Sequence, residues 1–170
     1  MKTKRTILFI DMDGVLADFE RGINEGTGDI NQMFEKNFFR NLEPMEEDIA
    51  EKIERLQELT KVKILSKACV ERNDKRFASQ VADKKHWLMR FAPTVKDEDI
   101  IIQSAEESKG SIVKEFPDFH CMLLDDYSLN LVEWELAGGI GIKKAKRYKN
   151  RSFEQVKSLK ELIVLLENIL

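Results

Sequence analysis

Ile7-Leu8-Phe9-Ile10-Asp11-Met12-Asp13-Gly14-Val15-Leu16-Ala17-Asp18-Phe19 is the stretch from which the rest of the chain is read. Four apolar residues run into two carboxylates one residue apart, and a glycine follows. An apolar run of this length, without alternation, is the pattern of a strand covered on both faces, as in a parallel sheet. Aspartate is a poor strand residue, so the strand is expected to end where Asp11 begins. Gly14 permits a sharp exit. Ligands of open α/β sheets bind beyond the carboxyl ends of the strands. Two carboxylates placed there can hold a hard cation such as Mg2+, and one of them can act as a nucleophile.

The pattern of apolar run followed by polar residue recurs outward from this stretch. Lys2 to Arg5 is a solvated lead-in to a first strand over about Thr6 to Ile10. Val62 to Leu65 is a second strand closing at Ser66, Asp99 to Gln103 a third, and His120 to Leu124 a fourth ending at Asp125-Asp126. Ile140 to Ile142 is a short last strand. Helical spacing of apolar residues fills the intervals. Glu46 to Leu59 carries acidic residues in its first turn, where the helix dipole favours them. Arg72 to Phe91 is an amphipathic helix ended by Pro93, with Phe77, Val81, Trp87, Leu88 and Phe91 as its apolar residues. Leu129 to Leu136 stops at Gly138-Gly139, and Phe153, Val156, Leu159, Ile163 and Leu166 form the inner stripe of a closing helix.

Strands alternating with helices predict a doubly wound parallel α/β sheet of about five strands. Residues 19–42 stand apart, with Phe19, Phe34, Phe38, Phe39 and three glycines in a polar segment. They are read as a small helical cap inserted after strand one, with Asp29 or Asn31 near a helix start; residues 1–18 and 43–170 then form the core. On one sheet edge the strand ends would bring together Asp11, Asp13, Ser66, Asp125 and Asp126. Two carboxylate pairs on one edge repel each other unless a cation or hydrogen bonds compensate, which points to a metal site.

With 28 Lys and Arg against 31 Asp and Glu, the formal net charge of −3 gives no electrostatic reason to expect a nucleic-acid polymer as partner. No apolar run approaches the ~18 residues of a membrane span. The Met-Lys-Thr-Lys-Arg start followed by one short strand is not a signal peptide, so the cytoplasm is the expected compartment. Cys69 and Cys121 each lie in or near an apolar run and are read as reduced core residues. His86 and His120 are not expected to be ligands, and Trp87 and Trp134 are expected in the core.

The order of these motifs resembles the haloacid-dehalogenase superfamily of phosphohydrolases. Its pattern has Asp-x-Asp after strand one, Ser or Thr after strand two, a lysine further on, and an acidic pair after strand four. Here those are Asp11 and Asp13, Ser66, Lys109, and Asp125-Asp126. Asp11 to Phe19, Phe38 to Met45, Leu124 to Tyr127, Asn130 to Trp134 and Gly138 to Lys143 are similar to the 5′-deoxyribonucleotidase branch of bacteria and phages.

The resemblance implies roles. Asp11 would be the nucleophile that forms an aspartyl-phosphate. Mg2+ would sit between Asp11, the backbone carbonyl of Asp13, and Asp126. Asp13 would protonate the leaving oxygen and then activate water. Ser66 and Lys109 would bind the phosphate, and Asp125 would hold Lys109 or a metal-bound water. Lys84 is the second candidate for the phosphate lysine. Phe19 would stack on a base; Phe38 and Phe39 are further candidates for substrate contact, with core packing the favoured reading for both. Lys67 stands where many relatives carry a small residue and would crowd the pocket or contact a phosphate. The implied activity is Mg2+-dependent hydrolysis of a nucleoside 5′-monophosphate, with deoxynucleotides favoured. A sugar phosphate or another small phosphomonoester is the alternative substrate. A degenerate member that only binds ligand would have lost Asp11 or Asp13, and both are present.

Overall fold

The computed structural model describes residues 5–148 and 152–170; Lys2 to Lys4 of the expected lead-in lie outside them. β1 (Arg5–Ile10) sits inside the sheet, paired on one side with β2 (Lys61–Lys67) and on the other with β4 (Phe119–Asp125). β3 (Ile100–Gln103), β5 (Ile140–Lys144) and β6 (Glu154–Val156) complete the order β3-β2-β1-β4-β5-β6, with every pairing parallel. The sheet therefore has six strands among the described residues. The sixth takes Val156 out of the predicted closing helix, which runs only over Leu159–Ile169 (α5) and buries Leu159, Leu162 and Leu166. Ser158 caps it by accepting from the Glu161 N–H at 3.2 Å, so the helix cannot begin earlier.

Side chains alternate across a strand, and β1 shows the result. Leu8 and Ile10 enter one core with Val62, Ile64, Met122 and Leu124, closed by α5 and by α2 (Ile49–Leu59) and α3 (Phe77–Phe91). Ile7 and Phe9 enter the other with Leu65, Cys121, Leu123 and Trp134 of α4 (Ser128–Leu136). Both tryptophans are fully buried. Gly138, at φ 96°, ends α4, and its N–H donates to the Glu135 carbonyl at 2.9 Å. No helix among the described residues is long and apolar enough to cross a membrane.

Between β1 and α2 the chain makes a ribbon with itself. The Asp18 N–H donates to the Glu43 carbonyl at 2.8 Å, the Met45 N–H to the Leu16 carbonyl at 2.7 Å, and Ala17 pairs with Pro44. The segment between these crossings holds α1 (Phe19–Glu25) and two 3-10 turns, Ile30–Phe34 and Phe39–Asn41. Asp29 caps the first of these turns through the Asn31 N–H at 2.9 Å.

Four residues of α3 fasten the returning part of this segment. Gln80 donates to the Met33 carbonyl at 3.2 Å, Asp83 faces Arg40 at 3.2 Å, Lys84 lies over the Phe39 ring, and Trp87 Nε1 donates to the Leu42 carbonyl at 2.8 Å. These residues follow i, i+3, i+4, i+7 and are all buried. The expected apolar stripe is thus only part of the inward face: Trp87 and Leu88 are buried, whereas Phe77, Val81 and Phe91 are half-buried.

Candidate active site

The carboxyl ends of β1, β2 and β4 open into a cleft of about 2010 Å³. Asp11 follows β1 directly, and its N–H donates to the Leu124 carbonyl at 3.0 Å, which holds it against the end of β4. Lys109 begins a 3-10 turn, Lys109–Glu115, and its ammonium reaches Asp11 Oδ1 and Asp125 Oδ2, each at 2.7 Å. The lysine is 1% exposed. Burial works against the charged form, but Asp11 and Asp125 more than offset this and hold the ammonium above its ordinary range.

Asp125 is fully engaged. Besides Lys109, its Oδ2 accepts from Asn130 at 3.0 Å and its Oδ1 from the Tyr127 N–H at 2.8 Å. It therefore holds the lysine in place. Asp126 opens onto the cleft, and the Lys143 ammonium donates to its backbone carbonyl and lies 3.0 Å from Ser128 Oγ.

Oxygens of Asp11, Asp125 and Asp126 all lie within 4.8 Å of one another. Burial raises the Asp11 carboxyl to about 8; Lys109 opposes the rise, and the neighbouring carboxylates Asp125 and Asp13 add to it. Burial and Asp125 likewise raise Asp126 to about 6. Gly14 lets this cluster form. It has φ +77°, and a Cβ there would sit 2.1 Å from Asp126 Oδ2. Converging hard oxygens with uncompensated charge fit a small divalent cation.

A second lysine lies on the other side of Asp13. Lys84, fully buried, donates to Asp13 Oδ2 and to Ser66 Oγ at 3.2 Å. Asp13 itself lines the cleft, and its Oδ1 has no hydrogen-bond partner among the described residues. Ser66 is fully buried inside β2.

Phe19 and Lys67 line the cleft. Phe38 and Phe39 do not. Phe39 is 1% exposed and stands edge-on to Phe38 at 5.2 Å, and Phe38 stands edge-on to Phe19 at 5.6 Å. The two inner rings thus support Phe19 from behind, which is core packing and not the substrate contact for which they are candidates. Cys69 is half-buried and also lines the cleft, with its thiol pushed up to about 11 by burial. Asn130 and Lys143 carried no expected role. Each lies close after the acidic pair or at the end of the neighbouring strand, a position shared by many inert residues.

The parallel sheet, with its acidic strand ends, is the fold of the haloacid-dehalogenase-like hydrolases. The solved structures that share it include these three. A haloacid dehalogenase-like family hydrolase from Xanthomonas campestris has a TM-score of 0.65 at 10% identity, covering 98% of this chain and 92% of its own. L-2-haloacid dehalogenase from Xanthobacter autotrophicus gives 0.63 at 12% identity over 98% and 100%. D,D-heptose 1,7-bisphosphate phosphatase from B. bronchiseptica gives 0.61 at 11% identity over 97% and 99%. No curated protein matches the chain. Residues 23–168 match the family described as 5′ nucleotidase, deoxy (Pyrimidine), cytosolic type C protein, and the chain belongs to that family. The match begins after Asp11 and Asp13.

Proposed function

We propose that this chain is a Mg2+-dependent phosphomonoesterase of the cytoplasm that hydrolyses a nucleoside 5′-monophosphate, with deoxynucleotides favoured. The observation that carries the reading is the Lys109 ammonium held 2.7 Å from both Asp11 and Asp125 at the floor of an open cleft. A buried cation beside a carboxylate at a strand end is suited to receive a phosphoryl group. The family description names a deoxy-pyrimidine 5′ nucleotidase, and Phe19 offers a flat apolar face on the cleft wall.

Asp11 attacks phosphorus in line; the Asp11–phosphorus bond forms as the phosphorus–5′-oxygen bond breaks. Asp13 gives its proton to the departing 5′-oxygen. Water then attacks the phosphorus of the aspartyl-phosphate, Asp13 takes the water's proton, and phosphate leaves as Asp11 is regenerated. One ester and one water give one nucleoside and one phosphate. Lys109 neutralises charge on the phosphoryl oxygens, the Ser66 hydroxyl donates to one of them, and Lys67 stands at the cleft edge as a further positive group. Asp11, Asp126 and the Asp13 carbonyl would hold Mg2+, with Asp125 beside them, and a bound Mg2+ would neutralise charge on the phosphoryl group.

The test is phosphate release from a panel of nucleoside and sugar monophosphates with Mg2+. Deoxynucleoside 5′-monophosphates are expected to turn over fastest, and Asp11→Asn to abolish release while the far-UV circular dichroism stays native. Faster turnover of sugar phosphates would replace the substrate assignment. Wild-type turnover by Asp11→Asn would end the mechanism.

A further inference from the structure

Lys84 is a fully buried lysine on α3 that does not line the cleft. An ammonium has three N–H bonds around its stem, and each direction is occupied here. One meets Asp13 Oδ2, a second Ser66 Oγ at 3.2 Å, and the third face lies 4.1 Å from the centre of the Phe39 ring. A group with all its donors engaged has none left for substrate phosphate. It acts through the residues it touches.

Of those, Ser66 serves both esters alike as a phosphate contact, and Asp13 is the one that moves a proton. Its two oxygens are in unequal positions. Oδ2 is held by Lys84, while Oδ1 is buried and has no partner among the described residues. A carboxylate anchored by a buried ammonium keeps one orientation, and in this one the side chain of Asp13 lines the cleft. Proton transfer to a leaving group requires such placement, within hydrogen-bond reach of the atom that receives the proton. The ring that completes the ammonium's surroundings belongs to the segment that carries Phe19, so the setting of Asp13 is tied to the segment that meets the substrate.

Resting on the reading of Asp13 as proton carrier, we propose that Lys84 is the positioning residue for leaving-group protonation. It fixes the Asp13 carboxyl at the cleft wall so that the proton is delivered and retrieved from one place, and Phe39 holds the lysine in that pose. When the leaving group is an alkoxide, the proton must arrive as the phosphorus–oxygen bond breaks. When it is a stabilised phenolate, no proton is needed. The later attack of water uses Asp13 for both kinds of ester.

The test compares a deoxynucleoside 5′-monophosphate with 4-nitrophenyl phosphate, with Mg2+ and enzyme in excess, so that release of the alcohol or phenol is read before phosphate release. For Lys84→Met, nucleoside release is expected to slow roughly 100-fold, the scale of a lost general acid, while nitrophenol release stays within about threefold of wild type. With substrate in excess, the same variant should show a burst of nitrophenol, because only the second step still needs Asp13. In an Asp13→Asn background, Lys84→Met should add nothing further.

Equal slowing of both esters by Lys84→Met, with Asp13→Asn showing the split, overturns the role of the lysine and leaves the mechanism standing. If Asp13→Asn shows no split, the proton-carrier reading fails and this inference falls with it. Should Lys84→Met not fold, Phe39→Leu keeps the ammonium but removes its support. It is expected to give the same split at about tenfold, and equal slowing of both esters there overturns the proposal in the same way.

Discussion

Burial pushes Asp11 up to about 8 and Asp126 up to about 6, so both take up protons at higher pH than free carboxylates do, and a bound cation would compete with those protons. Between about pH 4, where free carboxylates titrate, and those raised values, the folded chain carries more protons than the unfolded one. Stability contributed by these groups therefore falls as pH rises through that window. Thermal melts in chelator should show this decline, and Mg2+ should raise the melting temperature more at pH 8 than at pH 5. A Mg2+ effect independent of pH would remove Asp11 and Asp126 from the metal site. Asp99 has the opposite sign. Its burial works against ionisation, but Lys63 at 2.7 Å and Lys61 at 3.0 Å hold its carboxyl below the ordinary value. Its contribution is complete above about pH 4 and fades as the pH falls through the lowered value.

Helix α3 serves as the mount for the segment between the two ribbon crossings. Trp87 Nε1 meets the Leu42 carbonyl in a fully buried position. Trp87→Phe keeps most of the ring but leaves that carbonyl unpaired, and is expected to cost about 1–3 kcal/mol in urea unfolding. A cost below about 0.5 kcal/mol would show that water or a shifted neighbour satisfies the carbonyl. This helix also shows where sequence reading stops. Apolar spacing placed it well, because Trp87 and Leu88 face the core as their periodicity predicts. Gln80 and Asp83 look like solvent residues in the sequence, since charged and polar side chains are rarely buried without partners, and Lys84 reads there as a second phosphate lysine and not as the partner of Asp13 and Ser66. Their partners, Met33, Arg40, Phe39, Asp13 and Ser66, lie elsewhere in the chain, and no local pattern announces them. The strands ending at Asp11 and Asp125 were legible because four apolar residues precede each polar stop; before Ser66 the run is Val62, Ile64 and Leu65, broken only by Lys63. β6 has three residues and only Val156 buried, too little for a periodic signal.

At the scale of the molecule, one strand divides two cores. Phe9 on β1 meets Trp134 at 5.1 Å and Phe116 at 5.6 Å, both edge-on. Phe9→Ala should cost about 3–5 kcal/mol, measurable as a lowered urea midpoint. A loss under about 1 kcal/mol would mean that the second core closes over the space. Because Asp11 lies two residues beyond Phe9, the same substitution tests whether the site depends on that core.

The ribbon that joins residues 16–18 to 43–45 has a consequence for how this protein can change. The chain departs and returns through hydrogen-bonded neighbours. The entropy of closing the loop between two such fixed points grows only slowly with its length. The exposed run of residues 24–31 can therefore be lengthened, shortened or exchanged at small thermodynamic cost, while Phe39 and Leu42 stay packed against α3 and Asp11, Lys109 and Asp125 stay on their strands and turn. The outer part of the segment is thus free to evolve apart from the bond-breaking chemistry, beyond a joint three residue pairs long.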